Sequence, residues 1–181
     1  MEPLPAVVRK MRNIASTLDE AGVKYALIGG LALGPRGYAR GTTDVDFLLH
    51  KDFIECVHTL MRERGLAIVS EGAEFSSYLD ELMRVDFQHA RREISLGMLT
   101  RSDNVSFAGQ PVPVIQAEDL IGLKIQAFHG NPRRLKDLVD IQELLKANWD
   151  KLDLQRIRDY FRLFDREKDL DGLLRLADPD G

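Results

Sequence analysis

A chain of 181 residues, 44% of them hydrophobic, is long enough for one substantial core and a small appendage. Its formal net charge of −4 gives no global attraction to nucleic acid, so an RNA partner would need a local basic patch. One cysteine, Cys56, excludes an internal disulfide, no Cys/His set has zinc spacing, and no apolar run approaches a secretory signal or a membrane span, so the expected setting is a reducing cytoplasm.

Pro3 and Pro5 precede Val7, Val8, Met11, Ile14, Ala15 and Leu18, an apolar stripe at helical spacing that stops near Gly22. Lys24 to Ile28 then reads as a strand and Asp44 to Leu49 as a second. Lys51 to Arg64 reads as a helix that turns Phe53, Ile54, Val57, Leu60 and Met61 to the sheet and stops at Gly65. Leu66 to Val69 is a short apolar strand, and 70–77 turns polar and glycine-containing. From Leu82 to Gln88, Arg84, Asp86 and Gln88 alternate with Met83, Val85 and Phe87, which predicts a strand with Asp86 on its polar face. Val105 to Phe107 and Val112 to Ile115 flank Gly109-Gln110 as a hairpin. Helices follow over Ala117–His129, Leu135–Asn148 and Leu154–Phe164; Leu170, Leu173, Leu174 and Leu176 dock, and the last few residues fray. The predicted fold class is α/β.

Chemistry concentrates in Gly29-Gly30 and, after a spacer of thirteen residues, Asp44-Val45-Asp46. Residues two apart on a strand share a face, so both carboxylates leave one side while Val45 and Phe47 enter the core. Two acids on one face repel unless a cation sits between them. Hard oxygen ligands, few in number and shared with substrate phosphate, suit Mg²⁺. The glycines let the backbone approach a triphosphate and offer N–H groups at the start of a short helix. Asp86 lies on the polar face of its own predicted strand, and by spacing alone Asp44 and Asp46 also read as solvated acids at a strand end and Asp86 as a surface residue.

The stretch from Tyr25 through Ile28-Gly29-Gly30 to Leu33, followed by Arg40-Gly41-Thr42-Thr43-Asp44-Val45-Asp46-Phe47, resembles the active-site signature of the DNA polymerase β-like nucleotidyltransferase superfamily. The Gly-Gly form, with Asp119-Leu120-Ile121-Gly122-Leu123-Lys124 and then Arg134-Leu135-Lys136-Asp137-Leu138-Val139-Asp140, resembles its AbiEii-type toxin and minimal nucleotidyltransferase branch. Many superfamily members carry Gly-Ser where this chain has Gly29-Gly30, which leaves phosphate binding to backbone donors. The resemblance implies a small mixed-sheet nucleotidyltransferase core over 1–115 with flanking helices. A C-terminal helical part, 116–181, would close the nucleotide cleft. It implies Mg²⁺- or Mn²⁺-dependent transfer of a nucleoside monophosphate from an NTP to a hydroxyl, with release of pyrophosphate. Asp44, Asp46 and Asp86 would be the catalytic and metal-binding acids; Gly29, Gly30, Arg40, Thr43 and Lys124 would bind nucleotide. The acceptor would be RNA, such as a tRNA 3′ end, or a protein, in a toxin-antitoxin or defence system with a cognate partner. The alternatives are a small-molecule acceptor, as in antibiotic-modifying relatives, and an antitoxin or binding module that uses the same fold.

Lys124 stands at helical spacing from Leu120, Ile121 and Phe128, so it either snorkels to solvent or reaches nucleotide phosphate. Asp137 and Asp140, three apart on one helix face, either orient Lys124 or Arg40 or flank a core stripe. Thr42 and Thr43 also suit a loop cap. Arg84 and His89 have the spacing of a HEPN ribonuclease motif, but on a strand pattern that spacing is coincidence. His50, His58 and His129 lack partners at metal spacing and read as surface or helix-end residues. Arg133, Arg134 and Lys136 form a short basic cluster that reads as a solvated face.

Overall fold

The computed structural model describes residues 4–80 and 83–179. Pro3, the predicted strand start at Leu82 and the expected fraying of residues 180–181 lie outside them. Helix α1 (Ala6–Glu20) follows Pro5 and buries Met11, Ile14, Ala15 and Leu18, which share one face at i, i+3, i+4 and i+7 spacing. Strand β1 (Tyr25–Ile28) is buried along its whole length and runs straight into the five-residue helix α2 (Gly29–Leu33). Strand β2 (Val45–His50) buries Val45, Phe47, Leu48 and Leu49, and Asp44 directly precedes it. A 3-10 turn (Lys51–Phe53) leads into α3 (Ile54–Glu63), and Gly65, at φ +78°, takes the left-handed turn that ends it.

Strands β3 (Ala67–Glu71), β4 (Phe75–Leu79) and β5 (Arg84–Ala90) follow, then α4 (Glu93–Arg101) and the hairpin of β6 (Asp103–Phe107) and β7 (Gln110–Val114). The hairpin turn is Ala108-Gly109, at φ +50° and +87°, one residue earlier than the sequence suggests; both central residues adopt the positive φ of a tight β-hairpin turn. Strand β4 falls mostly within the stretch read as polar. Its sequence, Phe-Ser-Ser-Tyr-Leu, buries Ser76 and Ser77 beside Tyr78, so burial does not show as hydrophobicity. Helix α4 buries only Met98, which is too little to write a stripe.

The seven strands form one mixed sheet in the order β3-β4-β5-β2-β1-β7-β6. The β2–β5 and β1–β7 pairs are parallel and the other neighbours antiparallel. Under it lies an aromatic line: Phe47 stacks on Phe87 at 5.4 Å, Tyr25 meets Phe47 edge-on at 5.4 Å, and Tyr78 meets Phe87 edge-on at 5.7 Å. His58 is not a surface residue as its isolation in sequence suggested. It is buried on α3, and its Nδ1 hydrogen-bonds the Tyr78 hydroxyl at 2.6 Å. His50 ends β2 and accepts from the Asp52 backbone N–H, while His129 is exposed and its ring lies 5.1 Å from that of Phe164.

Four helices complete the chain: α5 (Ala117–Gly130), α6 (Leu135–Ala147), α7 (Leu154–Arg162) and α8 (Glu167–Ala177). Two compact units result. Met1–Ala32 with Gly41–Ile115 form the sheet unit, and Leu33–Arg40 with Gln116–Gly181 form the helical unit. The helical unit buries Leu120, Ile121, Ile125, Ile141, Leu144, Leu145, Ile157, Phe161 and Leu170. Among the described residues no helix is long and apolar enough to cross a membrane.

Candidate active site

Parallel pairing of β2 with β5 sets Asp46 directly opposite Asp86, and Ile28, the residue before Gly29, opposite Asp46 on the other side. The sheet therefore brings the glycine turn and two of the three predicted acids to neighbouring positions on one face. Asp44 is exposed one residue outside β2, and Thr43 Oγ1 donates to its Oδ1 at 3.4 Å. Asp86 is half-buried. Arg84 Nε lies 3.3 Å from its Oδ1, outside hydrogen-bond geometry, and this buried oxygen has no hydrogen-bond partner among the described residues.

Gly29 has φ +65°, and a Cβ built there would stand 2.0 Å from Asp46 Oδ2 and 2.5 Å from its Cγ. The absent side chain is the space that the Asp46 carboxylate occupies. Gly30 is buried and similarly close-packed: a Cβ there would lie 2.8 Å from both Cβ and Oγ1 of Thr42. Sequence reasoning finds the glycines through backbone approach to phosphate, and misses that each makes room for a particular side chain of this unit.

In the helical unit, a separate set of charges converges. Asp140 is fully buried and accepts from Arg40 Nε at 2.7 Å, from Arg40 Nη2 at 2.8 Å and from Lys124 Nζ at 2.5 Å. Lys124 also donates to Asp137 at 3.3 Å, and Asp137 accepts from Arg134 Nε at 2.6 Å. Burial by itself pushes the Asp140 carboxyl up, but the hydrogen bonds from Arg40 and Lys124 outweigh it and hold the group below its ordinary range; the same bond raises Arg40. Lys124 does not snorkel to solvent: its side chain is buried and its ammonium is held by Asp140 and Asp137. Arg133, Arg134 and Lys136 are all exposed, as read from sequence, and Arg134 in addition pairs with Asp137. Asp119 and Gly122 have structural partners: Asp119 accepts from the Tyr160 hydroxyl at 2.6 Å, and a Cβ at Gly122 would meet the Tyr160 ring at 2.8 Å.

The acids of the sheet unit suit a divalent cation by two observations. Asp86 Oδ1 is a buried acceptor without a hydrogen-bond donor, and it belongs to a carboxylate set across from a second one. Among the described residues no three Asp, Glu, His or Cys side chains close into a ready-made metal cage.

Similar folds are found among solved structures. The antibiotic-resistance factor ANT(2'')-Ia in solution has 14% sequence identity and a TM-score of 0.68, covering 91% of this chain and 95% of that one. An antigenic nucleotidyltransferase-like protein from Paracoccidioides brasiliensis has 19% identity and a TM-score of 0.61 over 97% and 95%. The lincosamide antibiotic adenylyltransferase LnuA, lincomycin-bound, has 15% identity and a TM-score of 0.56 over 75% and 94%. At these identities the likeness shows a shared fold, and with it the mixed α/β architecture predicted from sequence. No curated protein sequence gives a significant match. Residues 6–178 match the family described as uncharacterised nucleotidyltransferases, and the chain belongs to that family.

Proposed function

We propose that the protein transfers a nucleoside monophosphate from an NTP to a hydroxyl of a small-molecule acceptor, using Asp44, Asp46 and Asp86. The observation that carries this reading is the in-register placement of Asp46 opposite Asp86, with Gly29 cleared of a side chain beside Asp46. When bound by these carboxylates, Mg²⁺ or Mn²⁺ neutralises phosphate charge and makes the acceptor hydroxyl more acidic. Asp86 takes the proton of that hydroxyl. The acceptor oxygen bonds to the α-phosphorus as the bond to the β-phosphate oxygen breaks, and pyrophosphate carries away the electron pair. Thr43 supplies a hydroxyl beside Asp44, while Arg40 and Lys124 are paired with Asp140 within the helical unit.

The small-molecule acceptor draws support from the full-length fold likeness to ANT(2'')-Ia, one structure of which is in complex with adenylyl-2''-tobramycin, and from the likeness to LnuA. The formal net charge of −4 favours a cationic acceptor. A second reading keeps the AbiEii-type resemblance and an RNA acceptor, with a toxin role and a cognate antitoxin; exposed Arg133 and Lys136 at the start of α6 favour it. The test is incubation with Mg²⁺ and each labelled NTP, with aminoglycosides, lincosamides and total tRNA in parallel, beside an Asp44→Ala/Asp46→Ala variant. Label on a small molecule that vanishes in the variant is the expected result. Label on tRNA moves the acceptor to RNA, and transfer that survives in the variant overturns the assignment of the acids.

A further inference from the structure

Thr42 and Thr43 are adjacent, yet the fold treats their hydroxyls differently. Thr43 is exposed and turns Oγ1 to the Asp44 carboxylate. Thr42 is half-buried, with its side chain in the space a Cβ at residue 30 would need, so its hydroxyl is carried over the glycine turn between β1 and α2. Its hydrogen bond, donated to the Asp44 carbonyl oxygen, is 3.5 Å long, at the outer limit for such a bond. A hydroxyl fixed in place by a close backbone, but with no short acceptor, is ready to donate elsewhere.

We propose that Thr42, and not only the backbone of Gly29-Gly30, binds the triphosphate: its Oγ1–H donates to a phosphate oxygen of the NTP, and Gly30 lacks a side chain so that this hydroxyl can reach that position. This deepens the nucleotidyltransferase reading and rests on it. The bond would be charge-assisted, which makes it both short and stronger than the one it replaces. A Thr42 that only packed against Gly30 would need its methyl and Cβ, which valine supplies equally well. A donor role needs the oxygen.

Four variants, Thr42→Val, Thr42→Ser, Thr42→Gly and Gly30→Ser/Thr42→Gly, are titrated with each ribonucleoside triphosphate in Mg²⁺ and with the matching nucleosides, and each is checked for folding by thermal melting. Thr42→Val is expected to weaken NTP binding about tenfold or more, the worth of one hydrogen bond to a charged group. Nucleoside binding stays unchanged, and Thr42→Ser stays near wild type. Gly30→Ser/Thr42→Gly, which moves the hydroxyl to the other side of the same contact, recovers affinity lost in Thr42→Gly. If Thr42→Val does not fold, the comparison of Thr42→Gly with its Gly30→Ser partner decides. Equal NTP affinity in wild type and Thr42→Val overturns the proposal, as does an equal loss for NTP and nucleoside. Wild type that binds no NTP overturns the nucleotidyltransferase reading as well, whereas binding with unaffected Thr42 variants removes this inference alone.

Discussion

Replacing Gly29 with alanine separates two costs that glycine normally hides together. Gly29 and Gly22 share the same backbone angle, φ +65°, so each Gly→Ala change carries the same left-handed strain, about 1–2 kcal/mol. They differ in surroundings. A Cβ at Gly22 meets nothing within 4 Å, whereas at Gly29 it stands 2.0 Å from Asp46 Oδ2 and 2.7 Å from Asp46 Cβ. Ordinary contact begins near 3.4 Å, so the Asp46 carboxylate must move by more than an ångström or change rotamer. A displacement of about 1 Å at a reacting centre costs on the order of 10²-fold in rate. Urea denaturation should therefore show Gly22→Ala and Gly29→Ala both destabilised by about 1–2 kcal/mol, with a further increment for Gly29→Ala. Mn²⁺ binding, read by electron paramagnetic resonance, and nucleotidyl transfer should fall only in Gly29→Ala. Two variants alike in stability, metal binding and transfer would refute the claim that Gly29 exists to seat Asp46.

Asp140→Ala leaves Lys124 and Arg40 without their shared carboxylate in a buried site, and should cost about 3–5 kcal/mol by chemical denaturation; a loss below about 1 kcal/mol would show the cluster to be far better solvated than its geometry indicates. Because the folded Asp140 carboxyl is depressed, its contribution is present above the ordinary value of 3.8 and lost as pH falls below it, so Asp140→Asn should flatten the acid limb of the stability profile. His89 is pushed down, chiefly by burial, with Nδ1 donating to the Ala73 carbonyl and Nε2 accepting from Ser76 Oγ. Its stabilisation is full above 6.5 and fades as pH falls below that, and His89→Gln should reduce the slope of the melting temperature between pH 6.5 and the acid limb. Tyr25 is driven up by burial and then by the hydrogen bond it donates to Asp19, so its contribution holds below pH 10.0 and drains away as pH rises beyond it; Tyr25→Phe should show a flatter alkaline limb in the same melts.

The acids were legible because a strand period of two is short and local: Asp44 and Asp46 flank buried Val45, and Asp86 sits between buried Val85 and Phe87. Their pairing was not. The parallel register of β2 with β5 depends on a crossover through α3 and the β3–β4 pair, and β4 conceals itself by burying serines, one of them held by His89. The buried His58–Tyr78 contact is hidden for the same reason, since it joins two segments twenty residues apart. The charged cluster was partly legible. Three-residue spacing put Asp137 and Asp140 on one helix face, and both Lys124 and Arg40 stood as possible partners, but only the packed unit shows one carboxylate serving both cations.

The thirteen-residue interval between the glycine pair and the acid pair has a physical origin in the path of the chain. Leu33–Arg40 leaves the sheet unit and packs as part of the helical unit, and the chain re-enters the sheet unit at Gly41. Within the helical unit this excursion is held at several points. Asn148 Nδ2 donates to the Arg36 carbonyl at 2.8 Å, Gly37 at φ +93° has room for no side chain because a Cβ would lie 2.9 Å from Ala147 Cβ, and Arg40 grips Asp140 with two hydrogen bonds. The spacer thus has a length fixed by packing at both of its ends. Gly30 begins it against Thr42, and Thr42 closes it two residues before Asp44. A flexible loop of the same span could join the two motifs at little extra entropic cost, but it would carry neither the Arg40 anchor nor a Thr42 side chain fixed over the glycine turn. What reads in sequence as a spacer is the segment by which the sheet unit's glycine and acid motifs and Arg40, one cation of the helical unit's charge cluster, are encoded in one uninterrupted stretch, Ile28 to Asp46.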